Sequence, residues 1–142
     1  EHHLDGVAIL KREDSCSDLS HYLSVVIDGV DGEALMLMAN VRGLECHSGV
    51  SCRVNQGEAE RLTSVCGLPK GLLRNCITLS WHAMSREEEA HKALEILLGC
   101  VRTLREMSPI WSRIASGENF SMSRRYAQLC QNLREGRGNH AP

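Results

Sequence analysis

Apolar and polar positions change their period several times along the chain, and each change marks an element. His21–Asp28 (His-Tyr-Leu-Ser-Val-Val-Ile-Asp) is rich in β-branched and aromatic residues and stops at Gly29, which predicts a strand. Gly29-Val-Asp-Gly32 predicts a turn, with Asp31 as the N-cap of a helix over Glu33–Arg42. The helix contains Ala34-Leu-Met-Leu-Met-Ala39, apolar on nearly every face, which predicts burial on more than one side. Gly43 reads as its C′ residue. Leu44–Ser48 then predicts a short strand, 49–56 a loop, and Gly57–Val65 a short amphipathic helix ending near Gly67 and Pro69. Asn75–Trp81 alternates in the manner of a half-buried strand.

Ser85 and Glu88 form a capping-box pattern and open the clearest helix of the chain. Ala90, Ala93, Leu94, Leu97, Leu98, Val101 and Leu104 recur at helical spacing, opposite Glu88, Lys92, Glu95, Arg102 and Arg105. The helix is expected to run to about Met107, before Pro109, and to lay its apolar stripe on the sheet. Met122, Tyr126, Leu129 and Leu133 predict a second amphipathic helix at about 121–134, followed by a disordered Gly-Arg-Gly-Asn-His end. Near the start, Val7–Leu10 reads as a short strand or an approach segment. The expected architecture is α+β: a small three- to four-stranded sheet, mixed or antiparallel, with helices on one face and an extra C-terminal helix. The expected organisation is a polar approach segment over 1–20, a domain over 21–111, and a basic helical tail over 112–142.

Composition narrows the function classes. The 142 residues suffice for one domain with a real core. A net charge of −2 argues against a dedicated nucleic-acid binder. No apolar run approaches the roughly 18 residues of a membrane helix, so neither nucleic acid nor a membrane is an expected partner. The charge is unevenly placed, with five Arg and two Glu after residue 111. Seven cysteines, an odd number without repeating spacing, argue against a disulfide framework and for a reducing compartment, the cytoplasm or an organelle matrix.

The candidate chemistry lies in Gly43-Leu-Glu-Cys-His-Ser-Gly-Val-Ser-Cys-Arg53. Cys52 follows Gly49 and Ser51 on a predicted loop, beside Arg53. That setting lowers a thiol pKa and exposes its thiolate. The plainer reading is an ordinary reduced cysteine. A third reading is a metal site from Cys46, His47 and Cys52, with Cys66 or Cys76, although the only close pair is spaced C-x5-C rather than C-x2–4-C. Cys100 and Cys130 read as packing residues, and Glu87-Glu88-Glu89 as a helix-start cluster.

Gly29-Val-Asp-Gly-Glu-Ala-Leu35, Ser48-Gly-Val-Ser-Cys52, the Glu-rich helix start at 85–89 and Leu104-Arg-Glu-Met-Ser-Pro109 come in an order and spacing that resemble the C-terminal small domain of NifS-like cysteine desulfurases, over about residues 22–111. The resemblance implies the small-domain fold of fold-type-I pyridoxal-phosphate (PLP) enzymes of the class V aminotransferase family. It implies that Cys52 attacks the sulfur of PLP-bound cysteine, becomes a persulfide, and passes sulfur to an acceptor such as an iron–sulfur scaffold. The implied partners are a PLP-bearing large domain or a homodimer partner, together with the sulfur acceptor. PLP is implied as cofactor but is not bindable by this chain alone: the family's lysine lies in Ser/Thr-x-His-Lys, and the lysines here are Lys11, Lys70 and Lys92 in other contexts. The family's substrate-carboxylate arginine opens a strand reading Arg-x-Ser-Leu-Gly. Here Cys76-Ile-Thr-Leu-Ser80 stands there, and Arg74, two residues earlier, is the expected substitute, on the same strand face but displaced by about 7 Å. Whether the chain is an enzyme stays open. The alternative is a catalytically inactive desulfurase-like module acting in binding or dimerisation.

Overall fold

A computed structural model describes residues 4–10, 21–49, 70–117 and Gln128. Four strands form one antiparallel sheet: β1 (Val7–Ile9), β2 (Tyr22–Ile27), β3 (His47–Ser48) and β4 (Cys76–Ser80). Their order is β1-β2-β4-β3. The helices are α1 (Gly32–Val41), α2 (Glu87–Met107) and α3 (Pro109–Ala115), with a 3-10 helix at Lys70–Asn75. The expected α+β architecture is thus found, with an antiparallel sheet. The helices predicted at 57–65 and 121–134 lie outside the described residues, apart from Gln128.

Register explains how the sheet divides into two faces. Residues directly opposite one another across antiparallel strands point the same way. Val25 lies opposite Ile77, and Leu23 opposite Leu79. These side chains and Ile27 meet Leu35 and Ala39 of α1 and Leu97, Cys100 and Val101 of α2 in the main core. On the other face Ala8, Val26 and Cys76 stand abreast across β1, β2 and β4, all buried. Farther along that face the Ser24 and Thr78 hydroxyls share a 2.7 Å hydrogen bond. Val7–Ile9 is therefore a working strand, extended by the Asp28 N–H donating to the Gly6 carbonyl at 2.8 Å.

Asp31 caps α1 as expected: its Oδ1 accepts from the backbone N–H groups of Glu33 and Ala34 at 3.0 and 3.1 Å. Gly43, at φ +86°, takes the C′ position beyond Arg42. Burial on more than one side does not occur. Leu35 and Ala39 face the core, whereas Leu37 and Val41 are 58% and 89% exposed. Each pair is spaced i, i+4, so the two pairs occupy different sides of one helix.

The long helix begins one residue later than its capping pattern suggested. The Arg86 N–H donates to the Glu89 carboxylate at 2.9 Å, while the Ser85 hydroxyl accepts from the His82 N–H at 3.3 Å. The Ser85–Glu88 pair thus gives way to a cap at Arg86–Glu89. The stripe also departs from expectation: burial starts at Leu97, and Leu94 is 46% exposed. Arg105, placed on the polar side from sequence, is 7% exposed. Its Nε donates to the Asp28 carbonyl at 3.1 Å, its Nη2 donates to the Asp5 carbonyl at 2.7 Å, and its guanidinium stacks 3.7 Å from the Trp111 ring centroid. Trp111 belongs to α3, which sequence reading passed over. There Ser108 Oγ accepts from the Trp111 N–H at 3.3 Å, and Pro109 occupies the first turn, where its missing N–H costs nothing.

Candidate functional site

The candidate loop is rooted at the edge of the sheet. β3 is only two residues long, with His47 opposite Thr78 and Ser48 opposite Ile77. Its pairing is extended by the Gly49 N–H, which donates to the Cys76 carbonyl at 2.8 Å. At this point the chain presses against β4: a Cβ on Gly49 would stand 2.5 Å from Cys76 Cβ and 2.9 Å from Cys76 Sγ. Glycine is required here by the close approach rather than by an unusual φ. Cys52 comes three residues later, outside the described residues, as do Arg53 and Cys66.

Cys76 occupies the place where the resemblance puts an arginine, and it is 4% exposed. Packed against Gly49, the thiol closes the space between the loop root and the start of β4. Arg74 is not on the strand at all. It belongs to the 3-10 helix Lys70–Asn75, so the expected two-residue step along one strand face does not hold. Its guanidinium is 81% exposed and stands 4.0 Å from Asp31 Oδ2. Such a surface pair contributes about 0–1 kcal/mol and leaves the cation accessible. The neighbouring Asn75 side chain donates to the Val30 carbonyl at 2.7 Å, tying the 3-10 helix to the turn before α1.

The expected metal set is not brought together among the described residues. Cys46 is buried in the core, while His47, next along an extended segment, is exposed. Successive residues of extended chain point to opposite sides. No group of three or more potential metal ligands occurs among the described residues. The Cys46 thiol pKa is pushed up by burial and by the nearby Cys100. Burial raises that of Cys100 too, against the pull of Arg42, which hydrogen-bonds it. Both are core thiols rather than nucleophiles. Lys92, the described lysine side chain, lies exposed on α2. Among the described residues, no helix is long and apolar enough to cross a membrane.

A feature that sequence reading missed lies between β4 and the first half of α2. A groove of about 550 Å³ runs between Leu44, Leu79 and Trp81 on one side and Ala90, Ala93 and Leu94 on the other. The legible signal was Leu94, placed on the stripe but one turn before the sheet gives it cover. Trp81 and His82, adjacent in sequence just after β4, take different roles here. Trp81 lines the groove, and His82 Nδ1 accepts from the Met84 N–H at 3.0 Å.

No protein-family model matches the chain. Curated proteins do. It is 28% identical over 92 residues to cysteine desulfurase IscS of Methanosarcina thermophila, covering 65% of this chain and 23% of that protein. It is 24% identical over 106 residues to a cysteine desulfurase of Gluconacetobacter diazotrophicus, covering 75% and 26% respectively. With cysteine desulfurase IscS of Shewanella amazonensis it shares 31% identity over 99 residues, covering 70% and 24%. The chain spans about a quarter of the length of the curated relatives it matches. The resemblance drawn from its motifs therefore extends to sequence similarity over about two thirds to three quarters of the chain.

Proposed function

We propose that this chain, similar as it is to part of the NifS-like cysteine desulfurases, acts as their sulfur-accepting small domain, with Cys52 as the acceptor. The observation that carries this reading is the rooting of the Cys52 loop. Antiparallel pairing and the Gly49–Cys76 contact fix the loop's departure point to within one residue, three residues before the thiol. A carrier thiol must reach a sulfur donor and swing away, which suits a loop anchored at one end by a sheet edge. The Cys52 thiolate attacks the sulfur of a cysteine substrate, an S–S bond forms as the substrate's C–S bond breaks, and alanine leaves. The chemistry that accepts the C–S electron pair is supplied by PLP on another chain or domain. Arg74, exposed and weakly paired with Asp31, is the cation offered to the substrate carboxylate. The setting is a reducing compartment, the cytoplasm or an organelle matrix. The sulfur then passes to an acceptor protein.

The test is persulfide trapping. The chain is mixed with a PLP-bearing desulfurase large domain and cysteine, alkylated, and mapped by mass spectrometry. Extra sulfur is expected on Cys52 and lost in Cys52→Ser; sulfur carried by another cysteine, or by none, refutes the assignment. In the same assay Arg74→Gln should raise the cysteine concentration needed for half-maximal labelling, and an unchanged requirement would remove Arg74 from the site.

One observation favours a second reading, a binding or dimerisation module without sulfur transfer. Cys76, in the arginine's expected place, is buried and serves packing. A Cys52→Ser chain that kept full biological activity would select this reading.

A further inference from the structure

The groove beside the first half of α2 exposes an apolar lining that the described residues leave open. Leu94 and Trp81 are 46% and 43% exposed along it. Its rim is charged, with Glu45, Glu87 and Glu89 against one cation, Arg86, among the lining residues. Small side chains at Ala90 and Ala93 leave room for another helix to approach closely, as small residues do at helix contacts.

The chain itself carries a segment of matching chemistry. At helical spacing, Met122, Tyr126, Leu129 and Leu133 form one apolar stripe. On a 100°-per-residue wheel, Arg125 and Arg134 fall on the two flanks of that stripe. Residues 118–142 hold four Arg against two Glu, opposite in sign to the groove's rim. Gln128, on the polar side of the wheel, is helical and exposed.

Reach permits the match. α2 is about 30 Å long at 1.5 Å per residue, and its first half holds the groove. α3 is packed beyond its C-terminal end, with Ile114 buried and Trp111 on Arg105. From Gly117, four residues of extended chain span roughly 13 Å and a helix over 121–134 roughly 21 Å, together enough to run back along α2.

We propose that residues 121–134 fold back as an amphipathic helix into the groove between α2 and β4, with Arg125 and Arg134 against its acidic rim. The docked segment covers Leu94 and Trp81 and makes the basic tail part of the domain.

Hydrogen exchange on the full chain tests this. Reversing charge with Arg125→Glu and Arg134→Glu should speed exchange in Glu87–Leu97 by about tenfold while leaving β2 and β4 unchanged. Adding Glu45→Arg and Glu87→Arg should restore much of the protection. A chain ending at Gly117 should lose the same protection and bind an apolar dye at the groove. If that shorter chain does not fold, the charge-reversal pair decides alone. Exchange in Glu87–Leu97 that ignores both the reversal and the truncation overturns the proposal. So does protection that rises with protein concentration and survives truncation, because the occupant is then a second copy of the chain.

Discussion

Gly49 and Cys76 form the contact on which the position of the candidate loop depends. The Gly49 Cα lies against the Cys76 side chain, and a backbone hydrogen bond that extends β3 beyond its two paired residues runs between the same two positions. In Gly49→Ala the new methyl group overlaps Cys76, so the short edge strand has to move; overpacking of this kind costs about 1–3 kcal/mol. Cys76→Gly removes the opposing side chain. In a double-mutant cycle by chemical denaturation the two substitutions should therefore be non-additive, and strict additivity would mean that the contact does not hold the loop root. The buried thiols give a separate prediction. With their pKa raised, chiefly by burial, Cys46 and Cys100 remain protonated near neutral pH and should react with iodoacetamide far more slowly in the folded chain than in urea. The sign for stability follows. The fold favours the neutral thiols, so their contribution is intact below the unfolded thiol value of about 8.5 and is lost as pH rises toward the elevated folded values. Each thiol then contributes a slope of up to about 1.4 kcal/mol per pH unit. A Cys46→Ala, Cys100→Ala chain should show a shallower alkaline decline, and an equally steep one would place the titration elsewhere.

At the scale of elements, Arg105 joins four of them. Its donors reach the carbonyls at the approach to β1 and the end of β2, it projects from α2, and its guanidinium lies on the Trp111 ring of α3. Burial lowers its pKa, with Asp28 and Asp5 opposing, and an arginine this strongly basic still carries its charge at neutral pH. Arg105→Met strands two carbonyls and should cost about 2–4 kcal/mol, with amide exchange in Val7–Ile9 rising first. Arg105→Lys should recover little, since an ammonium cannot bridge both carbonyls and stack on the ring. Loss of stability below 1 kcal/mol on Arg105→Met would show that the node is peripheral. The same residue shows what was legible in the sequence. Leu97, Val101 and Arg105 run i, i+4, i+8, so spacing alone places Arg105 in the buried line, while its charge argues for the solvent side. The burial could not be foreseen because the two carbonyls that satisfy the guanidinium come from residues 5 and 28, distant in sequence. Elements with local signals were readable: the Asp31 cap, Gly43 and the periodicity of α2 all set structure within a few residues. α3 is hard to foresee because Pro109 reads as a helix stop, although Ser108 before it makes the proline a helix start. Cys76 opens β4 within the stretch that alternation marks as a strand, but its packing against Gly49 arises from strand pairing, which periodicity does not encode. The placement of Arg74 on the strand face does not hold for a related reason: the chain forms a 3-10 helix before the strand begins.

Across the whole molecule, the strand order β1-β2-β4-β3 makes the core a product of distant segments. Ile77 sits at its centre, fully buried, opposite Val25 on one side and Ser48 on the other, under helices from both halves of the chain. A core shared in this way predicts that the described region unfolds as one unit, so that the loop root and the Arg105 node are lost together. The two tryptophans can report this separately. Trp81 lies just before α2, beside the groove, and Trp111 lies beyond its other end, on Arg105. Trp81→Phe leaves one reporter and Trp111→Phe the other. Urea titrations of the two variants, corrected for the cost of each substitution, should give transitions of the same steepness, because that slope follows the surface exposed by the whole unit. Ile77→Ala, which empties a site touched by every layer, should lower both midpoints by the equivalent of about 2–5 kcal/mol. Were Ile77→Ala to shift the Trp81 transition and leave that of Trp111 in place, the sheet edge carrying the Cys52 loop would be a separate cooperative unit. The coupling between loop root and helical node would then be absent.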